Sequence, residues 1–476
     1  MRLIPFCILI SFLLLMTSCG EELPAQGFFF GADLSYVNEM EDCGVVYRET
    51  GVIKDPYTIF ADHDFNLVRL RLWHTPSWYD ELNSGQRYSD LADVQRGIER
   101  AHAAGMQALL NFQLSDNWAD PSKQIVPAAW ESVVDDQELL GDSLYQYIYG
   151  SLNHLHEAGQ LPELVQIGNE TNRGILLTQE QNDAGWVMDW ERNSFLFNRA
   201  ISAVRDFEAA TDSEIELGLH FAGPANSAFF VDEFVANGVT DFDWIGLSYY
   251  WAWHQPTTIE EAGDVIAQFR ADYPDKEVII LETGYIWTLD SNDSANNIIS
   301  ETHPDYAPPS PDAQYRWLVD LTQEVMESGG RGVLYWEPAW VSSPCHTQWG
   351  QGSHQEHATF FDFTSHLLSG SGIEWPQAEF TTSTFSPAPP PMEQLEMSTY
   401  YDPGAHQLKV DFTSPLEEPL TAMLIHLDGA HLGRYEMVPG QETFQLDLPE
   451  LSNALYFLVL ESQGAIVGKS AVVVQR

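Results

Sequence analysis

Two glutamates stand out by where they fall. Glu170 closes the run L-V-Q-I-G-N-E (164–170), and Glu282 closes V-I-I-L-E (278–282). The second run is so apolar that an uncompensated carboxylate at its end would be costly. A pair of carboxyl groups flanking a sugar is what glycosidic cleavage needs: one protonates the leaving oxygen, and the other works from the opposite side. Where the second carboxyl is a nucleophile that forms a covalent intermediate, the two lie roughly 5–5.5 Å apart. Asn169 is an amide suited to hydrogen-bond a sugar 2-hydroxyl. Either glutamate alone reads equally well as a strand-end ion pair. Both at matching strand tips favour the catalytic pair.

The run L-V-R-L-R-L-W (67–73) adds a charge partner. Alternation puts Arg69, Arg71 and Trp73 on one face and the aliphatic residues on the other. Buried arginines require carboxylates. An arginine near Glu282 would keep it ionised while Glu170 stays protonated, the division such a pair needs. Arg71 is the one expected there, with Arg69 a structural plug.

The elements that must position these residues are legible as an alternation. Short apolar runs at 28–33, 67–73, 106–112, 164–170, 215–220, 244–250, 278–282 and 332–337 are separated by amphipathic stretches such as Leu91–Ala104 and Asp142–Ala158. Eight strands alternating with helices predict an α/β fold, a closed (β/α)8 barrel over residues 27–380. Asp33, Trp73, Glu170, His220, Tyr250, Glu282 and Glu337 lie at the C-terminal ends of the strands, where such barrels gather catalytic groups. A doubly wound open sheet is the alternative, but no Gly-rich phosphate loop follows any strand. The long polar loop from Trp287 to Pro311 reads as functional. S-P-A-P-P-P-M (386–392) is a stiff linker. The alternating runs after it, with D-G, P-G and Q-G turns, predict a small all-β sandwich over 393–476.

The chain has 476 residues, with 21 basic against 70 acidic side chains and a net charge of −49. That field repels nucleic acid and anionic membrane surfaces, so neither is an expected partner. Ile8 to Met16 is an apolar stretch too short for a typical membrane span. With M-T-S-C-G after it, the N-terminus resembles a bacterial lipoprotein signal, in which Cys19 is lipidated and becomes the first mature residue. An ordinary cleaved signal is the alternative. Membrane contact is then expected only through the lipid, on an outer-membrane, cell-surface or secreted protein. The closing pattern A-L-Y-F-L-V-L-E…G-K-S-A-V-V-V resembles C-terminal sorting domains of type IX secretion, an odd companion for a lipid anchor. Cys43 and Cys345 remain. One follows the first strand and the other the eighth, neighbours once a barrel closes, so a disulfide is expected; two unrelated buried thiols are the alternative.

G-A-D-L-S, V-R-L-R-L-W, N-F-Q-L-S-D-N-W-A-D-P-S-K-Q, V-Q-I-G-N-E-T-N-R-G, I-G-L-S-Y-Y-W-A-W-H, L-E-T-G-Y-I-W-T and L-Y-W-E-P-A-W together resemble glycoside hydrolase family 53, over about residues 27–370. The resemblance implies a retaining endo-β-1,4-galactanase acting on galactan of type I arabinogalactan, with Glu170 as acid/base and Glu282 as nucleophile. It implies a cleft of Asp33, Arg71, Asp116, Trp118, Asn169, His220, Tyr250, His254 and Trp336. Asp120 reads as a loop cap. The resemblance implies no required cofactor, although some bacterial members hold calcium in the loop after strand seven. Here Asp290, Asn292 and Asp293 offer oxygen ligands for such a structural calcium, with a solvated polar loop as the alternative. Gln113, Leu114, Trp251-Ala252-Trp253 and the segment S-H-Q-E-H-A-T-F-F-D-F depart from the family pattern, which puts subsite preferences in doubt. The rival readings are a retaining barrel enzyme for mannan or β-glucan, and a non-catalytic glycan-binding lipoprotein. A monomer is expected.

Overall fold

The computed structural model describes residues 27–82, 85–184, 188–381, 395, 397–416, 418–449, 451–462 and 465–474. The expected signal through Cys19 and the expected Pro-rich linker 386–392 lie outside the described residues. Eight parallel strands close into a barrel in sequence order. They are β1 (Phe29–Asp33), β2 (Leu67–Leu72), β3 (Gln107–Phe112), β4 (Leu164–Ile167), β5 (Glu216–Ala222), β6 (Trp244–Ser248), β7 (Glu277–Thr283) and β8 (Gly332–Tyr335). The helices between them are α1 (Pro56–Asp62), α2 (Leu91–Ala103), α3 (Gln137–Glu157), α4 (Trp190–Thr211), α5 (Pro224–Ala236), α6 (Ile259–Asp272) and α7 (Pro311–Glu327).

Side-chain chemistry sets where these helices begin. Asp90, Asp136, Asp189, Thr258 and Ser310 each accept a backbone N–H from the first turn, filling donors that no carbonyl could reach. The Asp136 cap starts α3 at Gln137, five residues before the Asp142 start that periodicity alone suggests.

Leu residues at 67, 109, 164, 281 and 334, with Phe29, Trp244 and Ile279, fill the barrel interior. Strand β5 offers Gly218 instead, because a Cβ there would sit 2.0 Å from the Trp244 ring. The space is taken by the indole, so glycine is the residue that fits. Cys43 and Cys345 are disulfide-bonded, with Cα atoms 5.6 Å apart, and tie the segment after β1 to that after β8.

Beyond the linker lie two antiparallel sheets. One contains β9 (Met397–Asp402), β10 (Gln407–Phe412) and β13 (Thr443–Asp447); the other contains β11 (Leu420–His426), β12 (His431–Met437), β14 (Ala454–Ser462) and β15 (Ala465–Val474). Strands β9 and β12 go beyond the alternating runs expected from the sequence. Both are half-polar, with mostly part-exposed or exposed side chains, so neither shows a clean apolar alternation. The sandwich packs on the barrel: the Phe457 ring lies 4.9 Å from Phe229 and 5.5 Å from Phe230 of α5.

Candidate active site

Strand β4 ends at Ile167, not at Glu170, because the backbone turns at Gly168. Gly168 has φ +73°, and a Cβ there would lie 2.4 Å from Thr171 Cγ2. Glu170 itself has φ +48°, a left-handed conformation costing on the order of 1–2 kcal/mol for a residue with a Cβ. Neighbouring bonds hold it there. Its N–H donates to His220 Nδ1 at 3.3 Å, and Thr171 N–H donates to the His220 carbonyl at 2.9 Å.

That arrangement fixes a proton chain. His220 Nδ1 also accepts from Gln166 Nε2 at 3.0 Å, so the ring hydrogen belongs on Nε2, which meets Ser248 Oγ at 3.0 Å. Ser248 Oγ in turn donates to Glu170 Oε1 at 2.6 Å. Burial and the Arg69 charge hold His220 well below its ordinary pKa, so it stays neutral.

Glu282 reaches the site by a bulge. Ile279 and Leu281 already point into the barrel, so strict alternation would turn Glu282 outward. The register slips by one residue here on both sides of β7, between Leu247 and Ser248 and between Val333 and Tyr335. The extra residue lets Glu282 face the mouth as well. Arg69 Nη1 lies 2.7 Å from Glu282 Oε1 and 3.0 Å from Asp33 Oδ2. The rest of its fork donates to Asn169 Oδ1 (2.7 Å) and Gln166 Oε1 (3.0 Å). Tyr250 Oη donates to Glu282 Oε2 at 3.4 Å.

The electrostatics separate the two carboxyls. Burial lifts both, and the charge of Glu282 lifts Glu170 further, well above the usual carboxylate range. Arg69 pulls Glu282 back. The shared proton therefore belongs to Glu170, leaving a protonated acid facing an ionised carboxylate.

The two glutamates share a cleft of about 720 Å³. Trp118, Asn169, Tyr250, His254 and Trp336, all expected from the sequence, line it. Four other expected cleft residues do not appear in its lining. Asp33 is buried beneath it as the second carboxylate on Arg69. His220 is buried behind Glu170. Arg71 is buried against Glu337, 2.9 Å away, with its guanidinium 4.1 Å from the Trp118 ring centre. Asp116 accepts N–H bonds from Thr75 and Ala128 at 2.9 and 2.8 Å and so ties loops together. The arginine beside Glu282 is thus Arg69, not Arg71: register pairs Arg69 with Asp33 at the barrel mouth, while Arg71 runs past it towards β8. Asp120, read as a loop cap, does accept from Ser122 N–H at 2.7 Å but also lines the cleft. Trp253, Trp340, Trp349, His354 and Asp428 line it too, and Ser248 reaches Glu170; Ser248, Trp253, Trp340 and His354 lie in segments covered by the family resemblance, whereas Trp349 and Asp428 carry no sequence signal beyond their type.

In the loop after β7 the carboxylates are met by backbone donors. Both oxygens of Asp293 accept backbone N–H bonds, from Ala295 at 2.9 Å and Ser353 at 2.7 Å, and Glu356 accepts from Asn292 N–H at 2.7 Å. Among the described residues no group of three or more His, Cys, Asp or Glu is arranged to hold a metal.

Residues 29–371 match the model of glycosyl hydrolase family 53. The chain is 46% identical over 339 residues to the arabinogalactan endo-β-1,4-galactanase of Cellvibrio japonicus, spanning 71% of this chain and 87% of that protein. It is 35% identical to the endo-β-1,4-galactanase of Bacillus subtilis, over 66% of this chain and 71% of that one. Among solved structures, the Ignisphaera aggregans family 53 catalytic domain superposes with a TM-score of 0.66 at 30% identity, covering 75% of this chain and 98% of that one. A fungal β-1,4-galactanase does so with a TM-score of 0.59 at 27% identity, covering 73% and 98%. The matched span holds the whole barrel with both glutamates, and the chain belongs to glycosyl hydrolase family 53 and is a glycoside hydrolase.

Proposed function

We propose that the chain is a retaining endo-β-1,4-galactanase acting on the galactan of type I arabinogalactan, with Glu170 as acid/base and Glu282 as nucleophile. The observation that carries this reading is the unequal setting of the two carboxyls: Arg69 touches Glu282, and the Ser248 hydroxyl touches Glu170. The named activities of the Cellvibrio and Bacillus relatives support the substrate. In the first step Glu282 Oε2 attacks the anomeric carbon while Glu170 gives its proton to the departing oxygen. The glycosidic bond breaks, an ester bond to Glu282 forms, and Glu170 is left ionised. In the second, Glu170 takes a proton from water, whose oxygen displaces Glu282; both carboxyls return to their starting states. Trp118 and Trp336 offer indole faces for the sugars.

Product analysis on linear β-1,4-galactan, with the anomer of the first product followed by NMR, tests this. Wild type should release short galacto-oligosaccharides with the β-anomer first. Glu170→Gln and Glu282→Gln should each lose on the order of 10²–10⁴-fold in kcat. Near-wild-type activity in both would sink the assignment, as would preference for mannan or β-glucan. We also propose an exported protein, anchored through lipid on Cys19 or secreted; labelling with a radioactive fatty acid, lost in Cys19→Ser, tests the anchor.

A further inference from the structure

The family match ends at residue 371, yet the catalytic cleft does not end with the barrel: Asp428 and Ala430 of the sandwich line it together with Glu170 and Glu282. Both belong to the turn joining β11 and β12, and that turn is fixed to the barrel mouth at several points. Asn172 Nδ2, two residues past Glu170, donates to the Leu427 carbonyl at 3.0 Å. Asn226 Nδ2 donates to the same carbonyl at 2.8 Å. Thr257 Oγ1 meets His431 Nε2 at 3.1 Å on the far side of the turn. Backbones touch as well, since a Cβ on Gly429 would lie 3.0 Å from Gly223 Cα. With Phe457 seated on Phe229 and Phe230, the turn is held and not merely resting.

The turn also occupies a residue expected to meet substrate. His254 Nδ1 accepts from Tyr250 N–H at 3.0 Å, and a Cβ on Gly429 of the turn would lie 3.5 Å from its Nε2. The turn thus covers the ring, and burial pushes the imidazole down to about 4, so it carries no charge. Asp428 stands in front of it. Its Oδ1 is taken by Ala430 N–H at 3.0 Å and His426 Nδ1 at 2.8 Å, while the side chain remains 42% exposed and lines the cleft.

We propose that this turn completes the cleft, with Asp428 accepting hydroxyl hydrogens from a sugar on the leaving-group side of the cut bond. The side follows from the anchor. Glu170 must stand by the departing oxygen, and the turn is tied two residues beyond it, whereas Arg69 of β2, itself paired with Asp33 of β1, holds Glu282. The sandwich is then a part of substrate selection, not only a spacer.

This rests on the galactanase reading above, and the test separates the two. β-1,4-Galactohexaose labelled at its reducing end is digested by the full-length protein and by Asp428→Ala, Asp428→Asn and Ala430→Phe, with bond-cleavage frequencies, kcat/KM and melting temperature recorded. Loss of a leaving-group subsite shifts cleavage towards the reducing end, and kcat/KM falls roughly tenfold in Asp428→Ala, as for one hydrogen bond to a charged acceptor. Asp428→Asn keeps the turn bond through its amide oxygen and should shift cleavage the same way by less; Ala430→Phe should do so by narrowing the cleft. Unchanged cleavage frequencies in all three, with only the melting temperature lowered, would overturn the proposal. A shift towards the non-reducing end would overturn the assigned side. Failure of wild type to cut the hexaose at all would overturn both readings.

Discussion

Arg69 and Arg71 leave the same face of one strand, equally buried, and each meets a glutamate from the ends of the last two barrel strands; their surroundings then part company. Arg69 fills its fork with planar hydrogen bonds to Gln166, Asn169, Asp33 and Glu282. Arg71 makes one such bond, to Glu337, and leaves Nε and Nη2 without partners among the described residues. Its guanidinium instead lies within 4.6 Å of the ring centres of Tyr36, Trp73 and Trp118. Glu282 is 7% exposed on the cleft floor, and Glu337 is 1% exposed beneath it. Burial lifts Glu337 well above its usual range, with Asp33 adding to the effect. A buried arginine–glutamate contact thus serves two ends. Beside the cleft it holds a carboxylate ionised for reaction; below the cleft it supports an indole that forms the wall.

The widest separation between the two should appear in Arg69→Lys and Arg71→Lys. Lysine keeps the charge but not the planar fork. In Arg69→Lys, Glu282 loses its aligned partner, and kcat/KM should fall roughly 100-fold, the scale expected of a misplaced reacting group. The sign in pH is set by the charge. Arg69 favours the ionised form, so weakening it raises the Glu282 pKa, and the acid limb of the rate profile moves to higher pH. Arg71→Lys should lower the melting temperature by a few degrees and change kcat/KM by less than about tenfold. The reverse pattern, with Arg71→Lys inactive and Arg69→Lys merely less stable, would dismantle the comparison.

The barrel and its two glutamates were legible because apolar runs and their polar tips are local features. What distinguishes the arginines is not local. Alternation puts both on one face, and only the stagger that pairs Asp33 with Arg69 decides which one meets Glu282. The bulge at Leu281 is equally hidden, since simple alternation would send Glu282 outside the barrel. Ser248 sits in I-G-L-S-Y-Y with nothing to mark it until β6 lies beside Glu170. Asp116 and Asp120 exchange their expected parts because a short loop, not a strand, sets their directions. The Asp428 turn lies furthest from view: its anchor to Asn172 spans 255 positions.

A smaller effect should come from the other partner of the catalytic pair. The Ser248 hydroxyl favours the ionised form of Glu170, so Ser248→Ala raises the Glu170 pKa still further. The acid must be protonated to act, so the basic limb of the profile should move to higher pH. Arg69→Lys shifts the acid limb; Ser248→Ala shifts the other. A several-fold loss in kcat at the optimum is expected, about the value of one hydrogen bond. An unmoved basic limb would mean that Glu170 is not the group titrating there.

The smallest effect concerns carboxylates that have no arginine at all. Asp293 and Glu356 are satisfied by backbone N–H groups, and Glu356 by the Ser342 hydroxyl as well, so these donors clip the loop after β7 to the segment after β8. With those donors in place the loop does not need a cation to hold its carboxylates together. Chelation with EDTA should therefore shift the melting temperature by less than about 1 °C, since a ligand stabilises only in proportion to its occupancy of the folded state. Asp293→Ala should lower it by more, because two buried N–H groups lose their acceptor. If EDTA instead lowers it as far as Asp293→Ala does, the loop's carboxylates are cation ligands and their backbone bonds are the substitute.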